Sequence, residues 1–100
     1  MHIDVLVKIK DGQNELYPRS LAEDVLLEFV NEKIDYFNDR TMMPYTYEKL
    51  KNNLNRIEPT LSAYIDEHGK WISEPSLREL NEALLNSNRD DMFYIIDCHI

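Results

Sequence analysis

Glycine is nearly missing from this 100-residue chain, with only Gly12 and Gly69. So little glycine leaves no glycine-rich loop to cradle a phosphate and no flexible linker. Cysteine is down to Cys98, which excludes an internal disulfide. Basic residues are few, 11 against 19 acidic ones, for a formal charge of −8. A chain this acidic repels a nucleic-acid backbone, so a protein partner with a basic surface is expected, and no direct nucleic-acid binding. No stretch approaches the ~20 apolar residues of a membrane span. The opening MHIDVLVKIKDG lacks the basic start and the apolar run of about 7–15 residues of a signal peptide, so a cytoplasmic location is expected. Recognisable catalytic signatures are missing too: there is no G-x-S-x-G elbow, P-loop, C-x-x-C or dinucleotide fingerprint. No enzyme activity, catalytic residue, cofactor or metal is expected.

What is present suits one small domain. Hydrophobic residues make up 43%, too many for a disordered chain. Ile3, Val5, Val7 and Ile9 alternate with His2, Asp4, Leu6 and Lys8, the period of a half-buried strand. Asp11-Gly12-Gln13-Asn14 signals a turn, with a short return strand at Leu16-Tyr17. Ser20 and Glu23 form a capping box for a helix expected to reach about Asp39, with Val25, Leu26, Phe29, Val30, Ile34 and Phe37 inward. Lys33 falls within that arc and is expected to lay its stem on the core with its ammonium in solvent. A loop follows at 40–45. Thr46 then caps a second helix, with Leu50, Leu54 and Ile57 in register, and Pro59 ends it.

Leu61 to Ser73 fits either a helical stripe continuing from Leu54 or a hairpin turning at Glu67-His68-Gly69-Lys70. The hairpin is preferred, because Asp66 and Glu67 oppose the negative end of a helix dipole. Ser76 and Glu79 make a second capping box, for a last helix with Leu77, Leu80, Ala83 and Leu84 inward. The chain closes on a strand with Met92, Tyr94, Ile96 and Cys98 on one face and Phe93, Ile95, Asp97 and His99 on the other. The fold expected is α+β: a small sheet including the N- and C-terminal strands, packed on one face by about three helices.

Four patterns carry functional expectations. Asp24, Glu28, Glu32, Asp35 and Asp39 are spaced 4, 4, 3 and 4, so on one helix they fall within an arc of about 80°. Such a row imitates a phosphate backbone or docks on a basic surface; the plain alternative is a solvated helix face. Met42, Met43 and Tyr45, beside Arg40, are residue types enriched at interfaces, though a Met-Met loop equally tucks into its own core. Leu6, Phe93 and Ile95 make the second strand face partly apolar, so either another segment covers it, the preferred expectation, or a second copy docks there as a homodimer. His2, Asp4, Asp97 and His99 suit a divalent metal only if the terminal strands are neighbours in the right register; an ordinary polar sheet face is the preferred expectation. Trp71 is expected in the core.

Together these patterns point to a non-enzymatic acidic protein-binding module. The expected role is an inhibitor that blocks a basic, nucleic-acid-binding surface of its target, as an anti-defence or toxin-immunity protein does. The alternative is an assembly protein working through the apolar sheet face or the Met-rich segment.

Overall fold

The computed structural model describes residues 1–9, 26–27 and 32–100. The turn at 11–14, the return strand at Leu16-Tyr17 and the Ser20 capping box lie outside them. Among the described residues five strands form one mixed sheet, in the order β2 (Tyr36–Thr46), β5 (Met92–His99), β1 (His2–Ile9), β3 (Leu61–Ile65), β4 (Trp71–Ser73). The fold is thus α+β, with both terminal strands inside the sheet. β1 runs parallel to β3 and antiparallel to β5. Two complete helices lie among the described residues, α1 (Tyr47–Ile57) and α2 (Leu77–Leu85), rather than three.

Both helices start where side-chain chemistry allows. Thr46 Oγ1 accepts from the Lys49 amide at 3.2 Å. At α2, Ser76 Oγ accepts from the Glu79 amide while Glu79 Oε1 accepts from the Ser76 amide. These bonds satisfy donors that a helix start otherwise leaves open. α1 gives way to a 3-10 turn, Glu58–Thr60, at Pro59. The hairpin expected over 61–73 forms, with Ile65 opposite Trp71. Asp66 Oδ1 accepts from the His68 and Lys70 amides, each at 2.9 Å, and Gly69 takes φ 78°, where a Cβ is unfavourable.

The helix expected to run to Asp39 does not. Leu26 and Leu27 are helical, but Glu32 and Lys33 lie in a turn and Tyr36 begins β2. The apolar spacing of Ile34 and Phe37 does not separate helix from strand over so short a span. The backbone of 36–38 gains its partners from β5 instead, with Phe37 opposite Cys98. Nor is 40–45 a loop: it continues β2 through an irregularity between Asn38 and Met43. Among the described residues β2 pairs only with β5, and a strand with one such partner accommodates Pro44 where its nitrogen points away from the ladder.

The sheet is covered on both faces. α1 and α2 press Leu50, Leu54, Ile57, Leu80 and Leu84 onto Leu6, Tyr64, Phe93 and Ile95. Leu26 and Ile34 cover the opposite face, against Val5, Val7, Ile65 and Ile96. So the helices sit on the face expected to be the more polar one. Leu6, Phe93 and Ile95 are buried by their own chain, which removes them as a dimer surface. An irregularity between Asp4 and Val5 in the β1–β3 pairing puts Leu61 with the helices and Ala63 with the other core. Trp71 packs partly buried against the second core, with the Lys33 ammonium 5.1 Å from its ring centroid. Lys33 is itself exposed, as its expected reach to solvent requires.

Phe93→Ala, which empties the centre of the helix-facing core, is expected to cost about 3–5 kcal/mol in chemical denaturation. Leu85→Ala, at a side chain 80% exposed, is expected to stay within about 0.5 kcal/mol.

Candidate functional site

Lys8 and Asp91 are the buried charged residues among those described. Lys8 follows Leu6 by two in β1 and therefore points toward the helices, where it is 3% exposed. Its ammonium lies 3.0 Å from Glu67 Oε2 in the hairpin turn and 3.6 Å from Asp91 Oδ2 before β5. Asp91 is also buried, and its Oδ2 accepts from the Asn88 amide at 2.8 Å. Burial alone raises the Glu67 carboxyl. Its own backbone amide, the Lys8 hydrogen bond and charge, and His68 outweigh that and leave it below the ordinary carboxylate value. Nearby Tyr64 is pushed well above its ordinary value by burial and by the charges of Glu67, Asp66 and Asp91.

Above this group a cavity of about 330 Å³ opens between the hairpin and α2. Lys8, Tyr64, Ile72 and Ala83 line it together with the carboxylates of Asp66, Glu67, Glu79 and Glu82, and with Lys70. Lys8 is already paired, so the excess charge facing the opening is negative. Sequence reasoning placed Lys8 on a polar strand face and missed this cleft. The available signal was the company Lys8 keeps: it shares that face with Leu6, Phe93 and Ile95.

A second cavity, of about 540 Å³, lies beside the irregular part of β2, against Asp4, Arg40, Met42, Met43, Ile95 and Asp97. The β1–β5 register sets His2 opposite His99 and Asp4 opposite Asp97, the adjacency on which the His/Asp cluster depended. The two imidazoles serve different carboxylates. His2 Nδ1 is 3.1 Å from Asp97 Oδ1, and His99 Nδ1 is 3.3 Å from Asp35 Oδ2. The Tyr36 ring stacks on His99 at 4.8 Å, fastening the start of β2 to the sheet. Among the described residues no three His, Cys, Asp or Glu side chains are placed to hold a metal ion. Cys98 is buried, and its thiol is pushed up to about 12 by burial and by the charges of Asp97 and Asp4, so it is an inert core group.

No protein-family model, curated protein or solved structure matches this chain. The site therefore stands on its own geometry.

The five-carboxylate row does not hold as one helical stripe. Asp24 and Glu28 lie outside the described residues, Glu32 is in a turn, Asp35 is in a bend paired with His99, and Asp39 is in β2. The interface candidates of β2 divide as well. Met43 is 49% exposed, Met42 packs partly buried on the core, and Tyr45 is buried with the Lys49 ammonium 4.9 Å from its ring centroid.

Two stability predictions follow from these charges. Lys8→Met removes the buried ammonium that Glu67 and Asp91 share and is expected to cost about 3 kcal/mol or more in chemical denaturation. Because the folded Glu67 carboxyl is lowered, its contribution is present above the ordinary value of 4.5 and lost as pH falls through the folded value. A thermal-melt series is therefore expected to show a smaller acid loss in Lys8→Met than in the wild type. Asp4 runs the other way. Burial, then the charge of Asp97, raises its carboxyl above 3.8, so its stabilising contribution is full below that pH and lost as pH rises through the folded value. Asp4→Asn is expected to raise Tm at pH 7, with the gain disappearing in melts below about pH 4.

Proposed function

We propose that this protein is a non-enzymatic acidic binding module that inhibits its target by occupying a basic, nucleic-acid-binding surface. Anti-defence and toxin-immunity proteins are the kinds of role this describes, acting in the cytoplasm. The observation that carries the reading is the cleft between the hairpin and α2, where Asp66, Glu79 and Glu82 line the opening over a lysine that Glu67 already neutralises. Two constraints favour a protein over a small molecule as the ligand. The cleft is shallow and polar rather than an enclosed apolar pocket. The net charge of −8 also extends attraction over the whole surface, which speeds encounter with a basic macromolecule.

The carboxylates of the cleft are held in place by the fold. The Asp66 carboxylate is fixed by two turn amides and Glu79 by the capping box, so a partner meets charges whose positions are already set. The helix expected to carry the acidic row is not needed for this reading. Glu32 and Asp35, both exposed, remain candidate contacts outside the cleft.

A second reading, assembly through apolar contacts, rests on Tyr36 and Met43, 54% and 49% exposed on β2. It requires self-association or a contact that survives high salt, because apolar burial is not screened.

The deciding experiment is affinity capture from the native host over a salt series, followed by titration of the captured protein against Glu79→Gln/Glu82→Gln. Glutamine keeps the capping bond, so the variant stays folded. The expected result is a basic protein released by salt, bound about tenfold more weakly by the variant. Equal affinity, or release that ignores salt, would falsify the reading. A monomer at both low and high salt in a solution size measurement removes the self-association alternative.

A further inference from the structure

Tyr64 stands at the floor of the cleft between the hairpin and α2. It belongs to β3, opposite Leu6 of β1 and Ile72 of β4. The residue is 3% exposed, and its ring packs in the helix-facing core with Leu80 and Leu84. A phenol buried this far ordinarily finds a hydrogen-bond partner for its hydroxyl. The Tyr64 hydroxyl has none among the described residues. Side-chain nitrogens and oxygens sealed from solvent all have partners there, so this oxygen is one that the cavity of about 330 Å³ reaches. Burial first, then the charges of Glu67, Asp66 and Asp91, hold the phenol above its ordinary value, so it keeps its proton. The cleft thus has at its floor a neutral hydroxyl, withdrawn from bulk water, beside carboxylates and bonded to none of them.

Other acceptors face the same space. Asp66 Oδ1 accepts from two turn amides, while its Oδ2 takes no hydrogen bond among the described residues. Glu79 and Glu82 stand three apart on α2, on one side of that helix. The lining holds four carboxylates and two ammoniums, those of Lys8 and Lys70, which leaves two negative charges uncompensated. Ile72 from β4 and Ala83 from α2, both half-buried, add two apolar walls.

We propose that this cleft receives an arginine side chain of the partner protein, whose guanidinium donates to the Tyr64 hydroxyl and to carboxylates of the hairpin and α2. The inference rests on the acidic-module reading and names the residue that the cleft selects.

Geometry and hydration both choose arginine over lysine. The acceptors come from two elements, the hairpin and α2. A guanidinium holds five N–H donors in a fixed plane, so one edge serves a carboxylate while another reaches the hydroxyl. It is also more weakly hydrated than an ammonium, which lowers the cost of entering a half-closed site. Its methylene stem crosses Ile72 and Ala83 on the way in.

The test uses the full chain, labelled with 15N, and three capped five-residue peptides that differ only in a central arginine, lysine or citrulline. Citrulline keeps the shape of arginine without its charge. Tyr64→Phe removes the hydroxyl and keeps the ring. Because that hydroxyl holds no bond in the free protein, the variant is expected to melt no lower than the wild type. The arginine peptide is expected to move the Tyr64, Asp66, Glu79 and Ala83 amides saturably. Binding should weaken about fivefold in Tyr64→Phe and with the lysine peptide, and fail to saturate with citrulline. A lower Tm for Tyr64→Phe means that the hydroxyl already serves the fold, and it overturns the proposal. Equal binding by the variant, equal binding of the lysine or citrulline peptide, or no saturable movement overturns it too. A salt-sensitive partner weakened by Glu79→Gln/Glu82→Gln but not by Tyr64→Phe removes the arginine site and leaves the acidic-module reading standing. Capture that ignores salt removes that reading itself.

Discussion

The pairing of β1 with β5 is the constraint on which everything else depends. Eight residue pairs, from His2 with His99 to Ile9 with Met92, put two strands at the centre of the sheet with apolar side chains on both faces. A sheet with one apolar face needs one covering layer; this one needs two. α1 and α2 supply the first. Leu26 and Ile34 supply part of the second. The same pairing brings Lys8 beneath the helix layer, so the candidate cleft follows from its register.

Burying Lys8 has a structural cost that the fold offsets locally. An ammonium this deep requires anionic partners, and they arrive from two distant places, the β3–β4 turn and the residues before β5. The turn must present Glu67 inward while Asp66 holds the backbone and Gly69 takes the left-handed conformation. The hairpin is thus shaped by the charge it neutralises as well as by its strands. The acidic rim next to it follows from the same arrangement, since α2 carries Glu79 and Glu82 along the edge of that turn.

Much of this architecture was legible in the sequence. Both terminal strands, the Thr46 cap, the capping box at Ser76 and the hairpin rest on short-range chemistry that acts the same way in any context. The stretch from Glu32 to Tyr45 was not legible. Ile34 and Phe37 suit a helical arc and an extended strand alike, and only a neighbour 60 residues further on, β5, decides between them. The face carrying Leu6, Phe93 and Ile95 was recognised as too apolar for solvent, but not as the helix-bearing side. For the same reason Lys8 passed as a surface residue. Periodicity assigns a side chain to a face without saying which face is covered.

The central position of β1 and β5 also sets an order of events. The strands that form the middle of the sheet lie at opposite ends of the described chain, so their contacts close the longest loop available and come late. Among the described residues β1 has β3 on one edge and β5 on the other, so the second edge waits for the strand that is made last. During that interval Leu6 and Val7 sit on a strand with an exposed edge, the arrangement that invites pairing with other chains. The charge of −8 then has a second consequence, keeping unfinished copies apart until the last strand docks.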